Sequence, residues 1–174
     1  MEQVVRRVIS GEQRGLGARL LRGAMRLIEP IYTAVVASRN QGYTTGIITS
    51  KRAARPVVSV GNITTGGTGK TPVVRWLSHR LRENGMHPAV LLRGYKSKAG
   101  SRSDEEQLLD ELLNASDASA PVVVHAQPDR FAGSEAVLRE HPDVDVFILD
   151  DGFQHRRLQR DFDLVLIDAT NPFG

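Results

Sequence analysis

Apolar residues recur along this chain in two rhythms. Between Leu16 and Tyr32 the spacing is helical. Leu21, Met25, Ile28 and Tyr32 follow intervals of four, three and four, while Arg19, Arg22 and Arg26 fall on another face. Pro30 lacks a backbone donor and crowds the preceding turn, so it is expected to bend or divide this helix. From Asn40 to Pro56 the apolar clusters thin out and Gly42, Gly46 and Pro56 punctuate the chain, which reads as a connector. Beyond it come short runs rich in β-branched residues: PVVSVGN, HPAVLLRG, APVVVHA, DVDVFILD and FDLVLIDA. Between them lie helical candidates, TPVVRWLSHRLRENG, DEEQLLDELLN and DRFAGSEAVLREH. In the first, Val73, Leu77 and Leu81 recur every four residues and Gly85 marks the stop. This alternation predicts an α/β fold with a mainly parallel sheet covered by helices on both faces. The expected division is an N-terminal amphipathic helical segment with its connector over residues 1–55, then a core domain over 56–174.

Composition narrows the class. The 174 residues suffice for one domain with a proper core, and 40% apolar with 25% charged is ordinary for a soluble globular protein. With no cysteine, disulfides and cysteine-based zinc sites are excluded, and a cytoplasmic location is permitted. The charge is lopsided: residues 1–55 hold ten Lys/Arg against three Asp/Glu, the remainder thirteen against seventeen. No apolar run reaches the roughly 20 residues of a membrane span. Arginines and Pro30 also interrupt the leading segment too often for a cleaved signal peptide. A basic amphipathic helix suits an anionic membrane interface. It equally suits packing against its own domain, with solvated arginines, or a partner protein.

The strongest chemistry is in SVGNITTGGTGKTPVV, residues 59–74. Strand, glycine-rich turn and helix give a phosphate-binding loop its physical meaning: amides of the turn and first helical turn point at phosphate oxygens. Gly69, Lys70 and Thr71 match G-x-x-x-x-G-K-[ST], but Thr64 stands where the first glycine belongs. Gly66 and Gly67 supply the close backbone approach instead. Thr65, Gly66, Gly67, Thr68 and Gly69 would wrap the phosphates of ATP. Lys70 would reach the β- and γ-phosphates, and Thr71 would ligate Mg2+. Pro72 is harmless at a helix start.

The second clue is DVDVFILDDGFQHRRL, in which Asp150 and Asp151 end a buried strand. Ligands of open α/β sheets gather at that edge, and paired acids there suit a magnesium ion opposite the phosphate loop. Gln154 and His155 would lie beside metal and phosphates. Asp104, Glu105 and Glu106 form an acidic first helical turn, favourable for the dipole whether or not they do chemistry. His125 reads as a strand edge, and His79, His87 and His141 show no metal-ligand spacing. Gln154 to Arg157 has neither aromatic interleaving nor a basic stripe around it, so no nucleic-acid partner is expected.

Together, G-N-I-T-T-G-G-T-G-K-T-P at 61–72, R-G-Y at 93–95 and D-D-G-F-Q-H at 150–155 resemble the tetraacyldisaccharide 4'-kinase family, the lipid A kinases. The tail L-Q-R-D-F-D-L-V-L-I-D-A with N-P-F-G is similar to it too. The resemblance implies a P-loop NTPase-like core and transfer of the γ-phosphoryl group of MgATP to the 4'-hydroxyl of an acylated glucosamine disaccharide 1-phosphate. It places such enzymes peripherally at the cytoplasmic face of the bacterial inner membrane, with an N-terminal helix on the anionic bilayer surface. By position, Lys70 and Thr71 fall on the family's loop residues, Asp150 and Asp151 on its magnesium acids, and His155 on its histidine. The family's G-D-E-P reads here Ser103-Asp104-Glu105-Glu106, making Asp104 the implied base with Glu105 in support. Family members also continue past N-P-F-G into a smaller C-terminal domain, absent here, that completes the cleft. The alternative is another P-loop small-molecule kinase or a nucleotide-driven regulatory ATPase.

Overall fold

A computed structural model describes residues 15–63, 69–94, 103–115 and 121–169. It divides into two compact units, Met1–Thr49 and Ser50–Gly174.

In the first unit, helix α1 spans Leu16–Thr44, 29 residues with Pro30 inside. The expected division at Pro30 does not occur, because a missing donor removes one rung of a ladder that the flanking turns maintain. Nor is the connector irregular from Asn40: the helix runs on to Thr44. Its end is secured locally. The hydroxyls of Thr44 and Thr45 donate to the carbonyls of Asn40 and Gln41 at 3.0 and 2.9 Å. The chain then folds back so that Ile48 N–H donates to Gly42 at 2.9 Å. A Cβ on Gly42 would stand 2.8 Å from Ile48 Cδ1, so the close return needs glycine. Leu20, Leu27, Ile28, Ile31, Tyr32 and Val35 are all more than half exposed, a broad apolar face along the helix. No helix among the described residues is long and apolar enough to cross a membrane.

The second unit carries strands β1 (Val57–Asn62), β2 (Pro88–Leu92), β3 (Val123–Ala126), β4 (Val146–Asp150) and β5 (Phe162–Leu166). Helices α2 (Lys70–Glu83), α3 (Asp104–Asn114) and α4 (Arg130–Glu140) connect them. All the pairings are parallel, in the order β3-β2-β4-β1-β5. Register is fixed by pairs such as Val57 with Phe147 and Val60 with Asp150. Side chains alternate across the sheet. Val57, Ala89, Leu91, Phe147 and Leu149 face α4, where Val137, Phe131 and Leu138 meet them. Val60, Val90, Leu92, Val124 and Ile148 face α2 and α3, meeting Val74, Leu109 and Leu113. Burial on both faces explains why these strands read as continuous apolar runs and not as alternating ones. The edge strand β5 differs, with Phe162 at 62% and Val165 at 37% exposure, and Ile167 just after it at 60%.

The order sets the site. The chain leaves β1 toward β2 and β3 on one side, returns to β4 beside β1, and then passes to β5 on the other side. The crevice of such a reversal opens at the carboxyl ends of β1 and β4.

Phe147 is fully buried at the centre of the sheet. Phe147→Ala is expected to cost about 3–5 kcal/mol in denaturant unfolding, since a cavity between sheet and α4 cannot collapse.

Candidate nucleotide site

Thr65, Gly66, Gly67 and Thr68 lie outside the described residues; Gly69, Lys70 and Thr71 lie within them. Gly69 adopts a left-handed φ of 77° at the start of α2, a conformation glycine takes without strain. Helix α2 then begins with no side-chain cap and no acid in its first turn. The other two connecting helices are capped by the protein. Ser103 and Glu106 form a reciprocal capping box on α3, and Asp129 accepts from Phe131 and Ala132 N–H at 3.1 and 3.2 Å on α4. The positive end of α2 is therefore left for an anion from outside the chain.

Lys70 Nζ donates to Asn62 Oδ1 at 2.9 Å and pairs with Asp151 Oδ1 at 3.3 Å. Asn62, at the end of β1, thus aims the lysine across the crevice toward the acids that end β4. Asp151 has a φ of 55°. This left-handed geometry, uncommon outside glycine, re-aims the chain at the strand end. Gly152 follows, its N–H donating to Val60 O at 3.2 Å. A Cβ there would run into Leu149 and stand 3.0 Å from Ser59 Oγ, so only glycine fits. Phe153 packs over Gly61, where a Cβ would come within 2.5 Å of the phenylalanine Cβ. Arg160 locks the far side, donating to the carbonyls of Gly152 and Phe153 at 3.2 and 2.6 Å and pairing with Asp163 at 3.2 Å.

The electrostatics are unbalanced. Burial, then the charges of Asp151 and Glu105, push the Asp150 carboxyl above the usual carboxylate range. Its Oδ1 is buried with no hydrogen-bond partner. Arg130, only 3% exposed, lies within the field of Asp150, Asp151, Glu105 and Arg93, and its Nε is also without a partner. Burial and then Arg130 hold the His155 imidazole below its ordinary value, favouring the neutral ring, and its Nε2 is buried without a partner. Unsatisfied buried polar atoms are costly and concentrate where a ligand is to be met.

Lys70, Asp150, Asp151 and Glu105 are thereby gathered into one electrostatic neighbourhood, with His155 joined to it through Arg130. Asp104 is exposed in the first turn of α3, and Thr71 is exposed in the first turn of α2. Sequence reasoning missed three residues. Asn62 was legible only as part of a turn. Arg160 resembled any surface cation. Arg130 stands at a helix start where arginine is usually solvated.

Among the described residues no three His, Asp or Glu gather into a metal cage. A magnesium ion does not require one: it binds through one or two carboxylates together with phosphates and water. The orphan oxygen of Asp150 and the neighbouring Asp151 fit that mode.

Comparison with known proteins agrees with this geometry. Residues 21–174 match the family model described as tetraacyldisaccharide-1-P 4'-kinase. The chain is 39% identical to the tetraacyldisaccharide 4'-kinase of Geobacter sulfurreducens, covering 97% of this chain and 51% of that protein. Its likeness to the enzyme of Thiobacillus denitrificans is 41% identity, over 82% of this chain and 45% of that one. The crystal structure of "apo" form LpxK from Aquifex aeolicus in complex with ATP superposes with a TM-score of 0.74 at 34% identity, over 87% of this chain and 50% of that chain. The chain spans about half the length of the relatives it matches.

The raised Asp150 carboxyl sets a pH dependence. A folded-state value above the unfolded one means that stability is fully present below the unfolded value and is lost as pH rises through the folded one. At neutral pH Asp150→Asn is expected to raise the thermal midpoint of the ligand-free protein by a few degrees. That gain should disappear in acid, as differential scanning calorimetry across pH would read.

Proposed function

The chain belongs to the tetraacyldisaccharide-1-P 4'-kinase family, and on that premise we propose that it transfers the γ-phosphoryl group of ATP to the 4'-hydroxyl of an acylated glucosamine disaccharide 1-phosphate. The observation carrying this reading is the Lys70–Asp151 pair across an uncapped helix start, beside a buried carboxylate short of a partner. A triphosphate with its divalent cation supplies the charges that this arrangement lacks.

Each residue has a task. Lys70, freed from Asp151, neutralises charge on the transferring phosphoryl oxygens, while Asn62 keeps its ammonium aimed. The α2 amides hold phosphate, and Gly69 admits the close approach. Asp150, Asp151 and the Thr71 hydroxyl would hold Mg2+, which when bound screens charge between the β- and γ-phosphates. Arg130 adds a fixed positive charge in a water-poor setting. Asp104 takes the proton of the sugar hydroxyl as the new P–O bond forms, with Glu105 fixing the local field. Neutral His155 accepts or donates a hydrogen bond without adding charge. The exposed apolar face of α1 lies on the cytoplasmic leaflet, its arginines over anionic head groups.

The test is ATP consumption with an acylated disaccharide 1-phosphate in detergent micelles, for this chain and for any continuation of its reading frame. Wherever the parent turns over, Lys70→Ala is expected to abolish transfer and Asp104→Asn to lower kcat about 10²–10⁴-fold with little change in ATP affinity. Equal turnover on soluble sugars would point instead to a different small-molecule kinase, and full turnover in Asp104→Asn would remove it as the base. For the membrane face, Leu27→Asp with Ile31→Asp is expected to abolish cosedimentation with anionic vesicles while leaving MgATP affinity unchanged.

A further inference from the structure

Beside the phosphate site, α2 and α3 border a groove of about 640 Å³, within the size range of small-molecule pockets. The floor is apolar: Leu113 and Val122 are buried, and Leu112 is half-buried beside them. Trp76, the chain's only tryptophan, forms one wall and is 60% exposed. Arg75 and Arg82 stand at the rim. Ser78 also lines the groove; it is 1% exposed and its hydroxyl has no hydrogen-bond partner. Thr71 and Pro72, where α2 begins, line the end nearest the phosphate site.

We propose that this groove binds an acyl chain of an anionic amphiphile, and, resting on the kinase reading, a chain of the acylated acceptor itself. An apolar floor gives nothing to a phosphate or a sugar and favours hydrocarbon. Two arginines at the rim select a negatively charged head, and their planar donors suit phosphate oxygens. The Ser78 hydroxyl offers one donor within an otherwise apolar surface, which matches the carbonyl joining an acyl chain to its head group. A nucleotide base would ask for several polar partners along its edge, and the floor has one. Because the groove runs up to Thr71, a chain seated in it holds its sugar end next to the transferring phosphate.

Trp76 reports occupancy directly. The probe is 1-decanoyl-glycerol 3-phosphate, kept below its micelle-forming concentration and titrated into the full chain. Decyl phosphate lacks the carbonyl and glycerol phosphate lacks the chain. A saturable fluorescence change with the acyl probe, weaker with decyl phosphate and absent with glycerol phosphate, is the expected result. Arg75→Ala with Arg82→Ala should weaken the acyl probe about tenfold. Ser78→Ala should bring its affinity down to that of decyl phosphate. No Trp76 response, an unaltered affinity in the double arginine variant, or displacement of the probe by ATP at equal stoichiometry overturns the groove as an acyl site. Calorimetric MgATP binding on the same sample separates the two readings. Probe binding without MgATP binding removes the kinase reading and leaves an anionic-amphiphile site, and the reverse removes the groove alone.

Discussion

The second unit is organised around a charge that the protein leaves unbalanced. Asp150 closes a strand whose other side chains are apolar and buried, so its carboxylate stands where ionisation is expensive. The chain supplies one partial remedy, Lys70, and directs that lysine at Asp151 and Asn62. The remaining deficit makes the folded chain more complementary to a polyanion with its cation than to water. Stability is given up at the strand end so that binding can recover it.

Such an arrangement needs a stiff frame, and the parallel sheet provides it. Moving β4 beside β1 brings the acids and the phosphate loop to one edge, and register fixes Val60 opposite Asp150. The turn after β4 is then held from two sides. Glycines at 61 and 152 let it lie against β1, and Arg160 ties down its carbonyls from the start of β5. A packed frame transmits little slack, so the site is positioned by residues that never touch a ligand.

Much of this was legible in the sequence, because periodicity reports burial and burial on both faces is what a parallel sheet imposes. All five strands and the three connecting helices coincide with runs of the expected pattern. The failures have local causes. Pro30 and Gly42 signal breaks by their intrinsic preferences, yet α1 includes both, since a proline removes one hydrogen bond and a close return of Ile48 rewards a glycine. Strand order was unreadable, because it depends on contacts between distant segments. Arg130 was missed for a related reason: a charged side chain is buried by its surroundings, and nothing in its own neighbourhood in the sequence says so.

The open side of the sheet bears on handling the protein. Strand β5 ends the ladder with its outer backbone edge unpaired by any described strand, and Phe162, Val165 and Ile167 beside it face water. An edge with apolar neighbours is a template for edge-to-edge pairing with another copy. Concentrated preparations of this polypeptide will therefore self-associate through β5 before they unfold, and a lysine at Val165 is the natural gatekeeper against it.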